Sequence, residues 1–145
     1  MKPSPRKILY MLALKLLTRR EHAVSELRKK LADKTDSPEF IPEIIQELIQ
    51  KKYLDDSRFT ESYSRMLANK GYGLLRIKQA LKQKGITEFV DLNIHQADIK
   101  NSYQKKFGDT PPKDIREKAK RIRYLQYRGF SFEEIKKVLN HEDDE

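Results

Sequence analysis

Asp55 and Asp56 stand side by side in Lys52-Tyr-Leu-Asp-Asp-Ser-Arg-Phe59, and paired carboxylates are what an acid/base couple or a hard cation would use. A hard cation needs six or more oxygens, which this string does not supply. The reading preferred here is a cap: Asp55 or Asp56 faces the unpaired N–H groups and positive dipole end of a helix starting near Ser57. Leu54, Arg58 and Phe59 then belong to the same structural motif. His22, His95 and His141 are scattered and have no HExxH or CxxC companion, so zinc, base and nucleophile roles lack a pattern. Gly71-Tyr-Gly73 lacks the strand and further glycine of a dinucleotide loop, and reads as a helix-to-helix turn. The chain is therefore expected to be a binding protein, not an enzyme, with no metal and no cofactor.

The chemistry that remains is charge. Lys and Arg total 31 against 22 Asp and Glu, a net charge of +9, which favours a polyanionic or acidic partner. Between Glu61 and Glu88 no acid occurs, while Arg65, Lys70, Arg76, Lys78, Lys82 and Lys84 do. A second run from Lys113 holds Arg121, Arg123 and Arg128 against Asp114 and Glu117 alone. Tyr72, Tyr127 and Phe130 lie among these bases, as on surfaces that bind single strands by charge and stacking. Solvated helix faces are the plain alternative. The expected contact set is Arg28, Arg65, Lys70, Tyr72, Arg76, Lys78, Lys82, Lys84, Arg121, Arg123 and Arg128, with the middle and last repeats dominant. The first repeat adds Glu39, Glu43 and Glu47, which would repel phosphates. A helix-turn-helix nucleic-acid-binding protein acting alone is the second reading.

These bases must be positioned by helices. Only 5 Gly and 6 Pro punctuate the chain, apolar residues recur at spacings of three and four, and no stretch alternates like a strand. Three windows align without gaps: REHAVSELRKKL from Arg20, KGYGLLRIKQAL from Lys70 and RGFSFEEIKKVL from Arg128. Each opens with a base, places a ring at His22, Tyr72 or Phe130, and repeats apolar positions at Val24/Leu74/Phe132, Leu27/Ile77/Ile135 and Leu31/Leu81/Leu139. An amphipathic helix precedes every window, and Glu39-Phe40-Ile41 with Ile44-Ile45 finds an echo in Glu88-Phe89-Val90 with Asn93-Ile94. Three-helix repeats over 1–54, 55–95 and 96–145 follow, the last with an acidic tail and Ala97–Phe107 as its available third helix. Helices are expected at 7–19, 23–34, 42–52, 57–69, 73–84, 88–107 with a break near Ile94, 113–128 and 131–140. Ser131/Glu134 and Asp114/Glu117 have capping-box spacing, Pro42 suits a first turn, and Gly71, Gly85, Gly108 and Gly129 suit helix ends. Ala23 is a poor N-cap.

Zero Cys suggests a reducing compartment, and Ile8–Leu17 is too short to cross a bilayer and lacks a cleavage site after it, so a core helix is expected there.

Together these strings resemble the bacterial RecX regulatory proteins, modulators of the RecA recombinase, over about residues 8–139. The resemblance rests on Ser25-Glu-Leu-Arg28, Lys52 to Phe59, Lys70-Gly-Tyr-Gly73 with Arg76-Ile77, Leu81 with Lys84-Gly-Ile86, and Tyr127-Arg-Gly-Phe130. Here Lys52 stands where the family commonly has glycine, and the connection from Gly85 to Phe107 is shorter than usual. The resemblance implies an all-α, elongated and curved array of tandem three-helix repeats in a cytoplasmic, monomeric, non-enzymatic regulator of recombination and the DNA-damage response. It implies binding along the RecA–DNA filament, inhibition of ATPase, strand-exchange and coprotease activities, and at most weak sequence-blind DNA binding. Stacked repeats make extended concave surfaces, which suit a filament.

Overall fold

The computed structural model describes residues 2–90 and 92–143, and among these all regular structure is helical. The helices are α1 (Pro5–Arg19), α2 (Val24–Asp33), a 3-10 turn (Pro38–Phe40), α3 (Ile41–Gln50), α4 (Asp56–Asn69), α5 (Leu74–Gln83), α6 (Ile99–Phe107), α7 (Ile115–Tyr127) and α8 (Phe132–Asp143). The chain divides into two compact units, one of residues 1–62 and 82–93, the other of 63–81 and 94–145, so the division falls within α4 and α5.

The first unit is built by α1, α2 and α3. Their apolar stripes supply Leu9, Ala13, Leu27, Leu31, Ile41, Ile44, Ile45 and Leu48, with Leu54 from the following turn, and all are buried. Three helices closing on one core bury what none could bury alone. Ala23, unable to cap α2, is served from elsewhere: Asp56 Oδ1 accepts from the Val24 N–H at 2.8 Å, and Glu26 reaches back to the Ala23 N–H. Asp55 meanwhile accepts from the amides of Ser57 and Arg58, at 2.8 and 3.1 Å. The two acids therefore cap different helices, one nearby and one 32 residues upstream.

The second unit closes α6, α7 and α8 around Tyr103, Leu125, Phe130, Ile135, Val138 and Leu139. Ala97–Phe107 thus supplies the third helix of the last repeat, placed before the pair it completes. Ser131 and Glu134 form a reciprocal box. Asp114 accepts from the Glu117 amide, while the Glu117 carboxylate is taken by Arg121. Gly71, Gly85, Gly108 and Gly129 all follow helix ends with φ between +71° and +99°. The side chain of His141, and Asp144 and Glu145 of the acidic tail, lie outside the described residues.

One expected helix is missing. Residues 88–107 are helical only from Ile99, and 88–90 and 92–98 have no regular helix. The reason is visible in the repeat: exposed Asn93 occupies the register of fully buried Ile44, so this segment has no apolar stripe to drive a helix onto a core. Its amides go elsewhere, His95 N–H to Ser64 Oγ at 2.9 Å and Ala97 N–H to the Tyr72 carbonyl at 3.0 Å. The repeat alignment also overreaches at Phe132, which is 53% exposed and not part of the core.

Candidate protein and nucleic-acid interface

The turn Lys70-Gly-Tyr-Gly73 and the turn Tyr127-Arg-Gly-Phe130 occupy equivalent places in their repeats, and in the second unit they dock on one another. The Gly73 amide donates to the Arg128 carbonyl at 2.8 Å and the Leu75 amide to the Gly129 carbonyl at 3.0 Å. A Cβ on Gly73 would sit 2.6 Å from the Gly129 carbonyl oxygen, and one on Gly129 2.4 Å from the Arg76 Cβ. Both glycines are required because the two backbones are nearly in contact.

This docking stacks side chains. The guanidinium carbon of Arg128 lies 4.6 Å from the centroid of the Tyr72 ring, that of Arg76 lies 4.8 Å from the same ring, and Arg76 is also 4.6 Å from the Tyr127 ring. Hydrogen bonds lock the ladder: Arg76 Nη1 donates to the Tyr127 carbonyl, Arg128 Nη2 to the Lys70 carbonyl, and Arg128 Nε to the Tyr124 hydroxyl. Tyr127 remains 67% exposed and Leu75 57% exposed. The result is a pre-formed surface of two guanidiniums and two rings, fit for planar bases, phosphates or carboxylates.

The other candidates distribute unevenly. Arg28, Arg65, Lys70, Lys82 and Arg123 are exposed, while Tyr72, Arg76, Lys78, Lys84 and Arg128 are half-buried. Arg121 must be removed from the set: its side chain is 3% exposed, donating to the Tyr103 hydroxyl, the Thr110 carbonyl and Glu117 at 2.7 to 2.8 Å, and it lies 4.9 Å from the Phe107 ring. It is a core strut, because a buried guanidinium must find partners for its donors. Lys84 lies in the first unit, 3.0 Å from Glu26.

Glu26 was not singled out by its pattern, yet it organises the first unit's charges. Its side chain is 8% exposed and meets Arg20 at 2.5 Å, Lys84 at 3.0 Å and Lys30 at 4.0 Å. Burial alone would raise its pKa, but hydrogen bonds from Arg20 and Lys84 outweigh that and hold it at about 2. His22, 1% exposed, is read as donating through Nδ1 to the Arg20 carbonyl and accepting at Nε2 from Lys30, and burial lowers its pKa. The neutral ring is a core polar group. The motif of Lys52 to Phe59 is likewise structural: Leu54 and Phe59 are buried, and Arg58 holds Glu21 and the Lys52 carbonyl. Gly85 lies against Ser25, where a Cβ would come within 2.5 Å of the hydroxyl. Among the described residues no three His, Asp or Glu side chains gather as a metal site.

Comparison with known proteins fits this division of labour. Models of the first, second and third three-helix domains of RecX match residues 10–51, 55–90 and 97–139. The chain belongs to the RecX family. Regulatory protein RecX of Pseudomonas fluorescens (strain SBW25) is 38% identical over 138 residues, covering 90% of this chain and 89% of the relative. Its namesake in Vibrio parahaemolyticus is 39% identical over 143 residues, covering 92% and 90%. The crystal structure of RecX from Lactobacillus salivarius superposes with a TM-score of 0.76 at 22% identity, covering 97% of this chain and 98% of that one. These RecX relatives are named as regulatory proteins rather than enzymes, and no described helix is long and apolar enough to cross a membrane.

Proposed function

We propose that this RecX-family chain regulates a RecA recombinase by binding the RecA–DNA filament as a monomer in the cytoplasm, lowering ATPase, strand-exchange and coprotease activity without catalysis of its own. The observation that carries the reading is the ladder Arg128–Tyr72–Arg76–Tyr127, which the docked turns hold ready beside exposed Lys70. A rigid cationic and aromatic surface loses little entropy on meeting an acidic side chain or phosphate. Lys78, Arg65 and Arg123 add positive charge to the second unit, Arg28 and Lys82 carry it in the first, and Lys84 acts as an internal tie there. The functional modules are 1–54, 55–95 and 96–145, the outer two each presenting a closed three-helix core and the middle one its turn.

The test is charge reversal on α5. Lys78→Glu with Lys82→Glu is expected to weaken filament binding and to relieve inhibition of DNA-dependent ATP hydrolysis by the same species' RecA, most strongly at low salt. Wild-type inhibition by a variant of unchanged helicity, at low and moderate salt, overturns this role for the middle repeat.

A further inference from the structure

The second unit holds a cavity of about 320 Å³ between the end of α4 and the start of α6. Three cations line it, Lys70, Lys105 and Arg128, against one carboxylate, Asp98, with the amide side chains of Asn101 and Gln96 between them. Asp98 is already committed, since its Oδ1 accepts from the Lys100 amide at 3.0 Å. Arg128 is fixed by its bonds to Tyr124 and Lys70 and by the Tyr72 ring, so its orientation is set before anything binds. Lys70 and Lys105 have no acidic partner among the described residues. Gly71, with φ +94°, brings backbone close enough that a Cβ would lie 3.3 Å from Arg128 Nη2 and 3.5 Å from Ser102 Oγ, which closes that wall.

We infer that this cavity binds the phosphate group of a small ligand of nucleotide type. Three cations against one committed carboxylate leave an excess of two positive charges. Ammonium and guanidinium donors carried on three different helices or turns suit a tetrahedral oxyanion better than a planar one. The volume falls in the range of small-molecule sites, roughly 300–1,000 Å³, which leaves space for the group that the phosphate esterifies. The site shares Lys70 and Arg128 with the proposed partner surface, while Lys105 and Asn101 take no part in the ladder and belong to the cavity alone.

The experiment uses the full chain without RecA or DNA. Amide chemical shifts are followed on adding pyrophosphate, ATP or adenosine at moderate salt. Pyrophosphate and ATP are expected to give saturable shifts at Gly71, Asn101 and Ser102, and adenosine none. Tighter binding of ATP than of pyrophosphate identifies a nucleotide, and equal binding identifies the phosphate alone as the recognised group. Lys105→Gln is expected to weaken either ligand about tenfold, the loss of one charge-assisted contact, whereas Lys29→Gln, the same charge change at an exposed position of α2 in the first unit, leaves affinity unchanged. Lys105 is exposed, so its substitution leaves the fold intact, and far-UV circular dichroism checks this. The inference is overturned by absence of saturable shifts at these amides, by adenosine binding as tightly as ATP, or by equal effects of the two lysine variants. RecA is absent from the assay, so its failure leaves the proposed function standing.

Discussion

Lys52 holds a backbone conformation that its side chain disfavours. Its φ of +63° falls in the left-handed region, and it is the sole described residue other than glycine there. The Arg58 guanidinium secures its carbonyl at 2.8 Å, and Asp55 and Asp56 fix the chain that follows. Glycine would hold this conformation without that strain. Lys52→Gly is expected to raise stability by about 0.5–1 kcal/mol, read as a higher urea midpoint at unchanged slope. A second residue-scale expectation concerns acid. Glu26 has its pKa lowered from 4.5 to about 2, so its contribution is full above about pH 4.5 and is lost as pH falls toward 2. His22 is depressed below 6.5, so the unfolded chain takes up its proton first and stability already declines as pH drops below 6.5. Stability between pH 5.5 and 7.5 should therefore rise in the wild type and rise less in His22→Gln, as urea midpoints will show.

The docked turns are the element-scale counterpart. Gly73→Ala forces a methyl to within 2.6 Å of the Gly129 carbonyl oxygen, so the two turns must part. A loss of about 2 kcal/mol or more is expected, together with faster hydrogen exchange at the Gly73 and Leu75 amides, whose acceptors are Arg128 and Gly129. Protection of those amides equal to wild type would contradict the docking. Periodicity and capping chemistry made α1 to α5, α7 and α8 legible to within a few residues, because each carries a local apolar stripe and a local stop. Segment 88–98 was misread for the complementary reason. Its similarity to the first repeat was real at Glu88-Phe89-Val90, but what decides a helix is the stripe that follows, and Asn93 breaks it. The docking of two turns 58 residues apart, as in Lys70 with Arg128, leaves no local trace beyond the repeated glycines.

At the scale of the whole chain, a net charge of +9 says nothing about which bases are free. Lys84 and Arg121 belong to the interior economy of their units, whereas Arg123, two residues from Arg121, faces solvent. Arg121→Met should cost about 2–3 kcal/mol, since it strands Glu117, the Tyr103 hydroxyl and the Thr110 carbonyl. Arg123→Met should leave the thermal midpoint within about 1 °C, a surface change being usually neutral, and should flatten the salt dependence of partner binding if it meets phosphate. Equal melting of the two variants would refute the buried role of Arg121. Sequence could see the density of bases but not their partners, because Tyr103, Thr110 and Glu117 converge on Arg121 only after α6 and α7 have packed.

Residues 86–90 and 92–98, which lie outside regular helix, have a bearing on how the chain can be cut. Proteases need to draw several residues into an extended form, and a stretch outside regular helix yields to this more readily than a packed helix. Yet from Gly85 to Ile99 there is no lysine or arginine in a chain with 31 of them. Trypsin, which would otherwise find targets everywhere, has no bond to hydrolyse there, while chymotrypsin is offered Phe89 and Leu92. Brief digestion should therefore cut the native chain within that stretch, after Phe89 or Leu92, with the second enzyme and spare the stretch with the first.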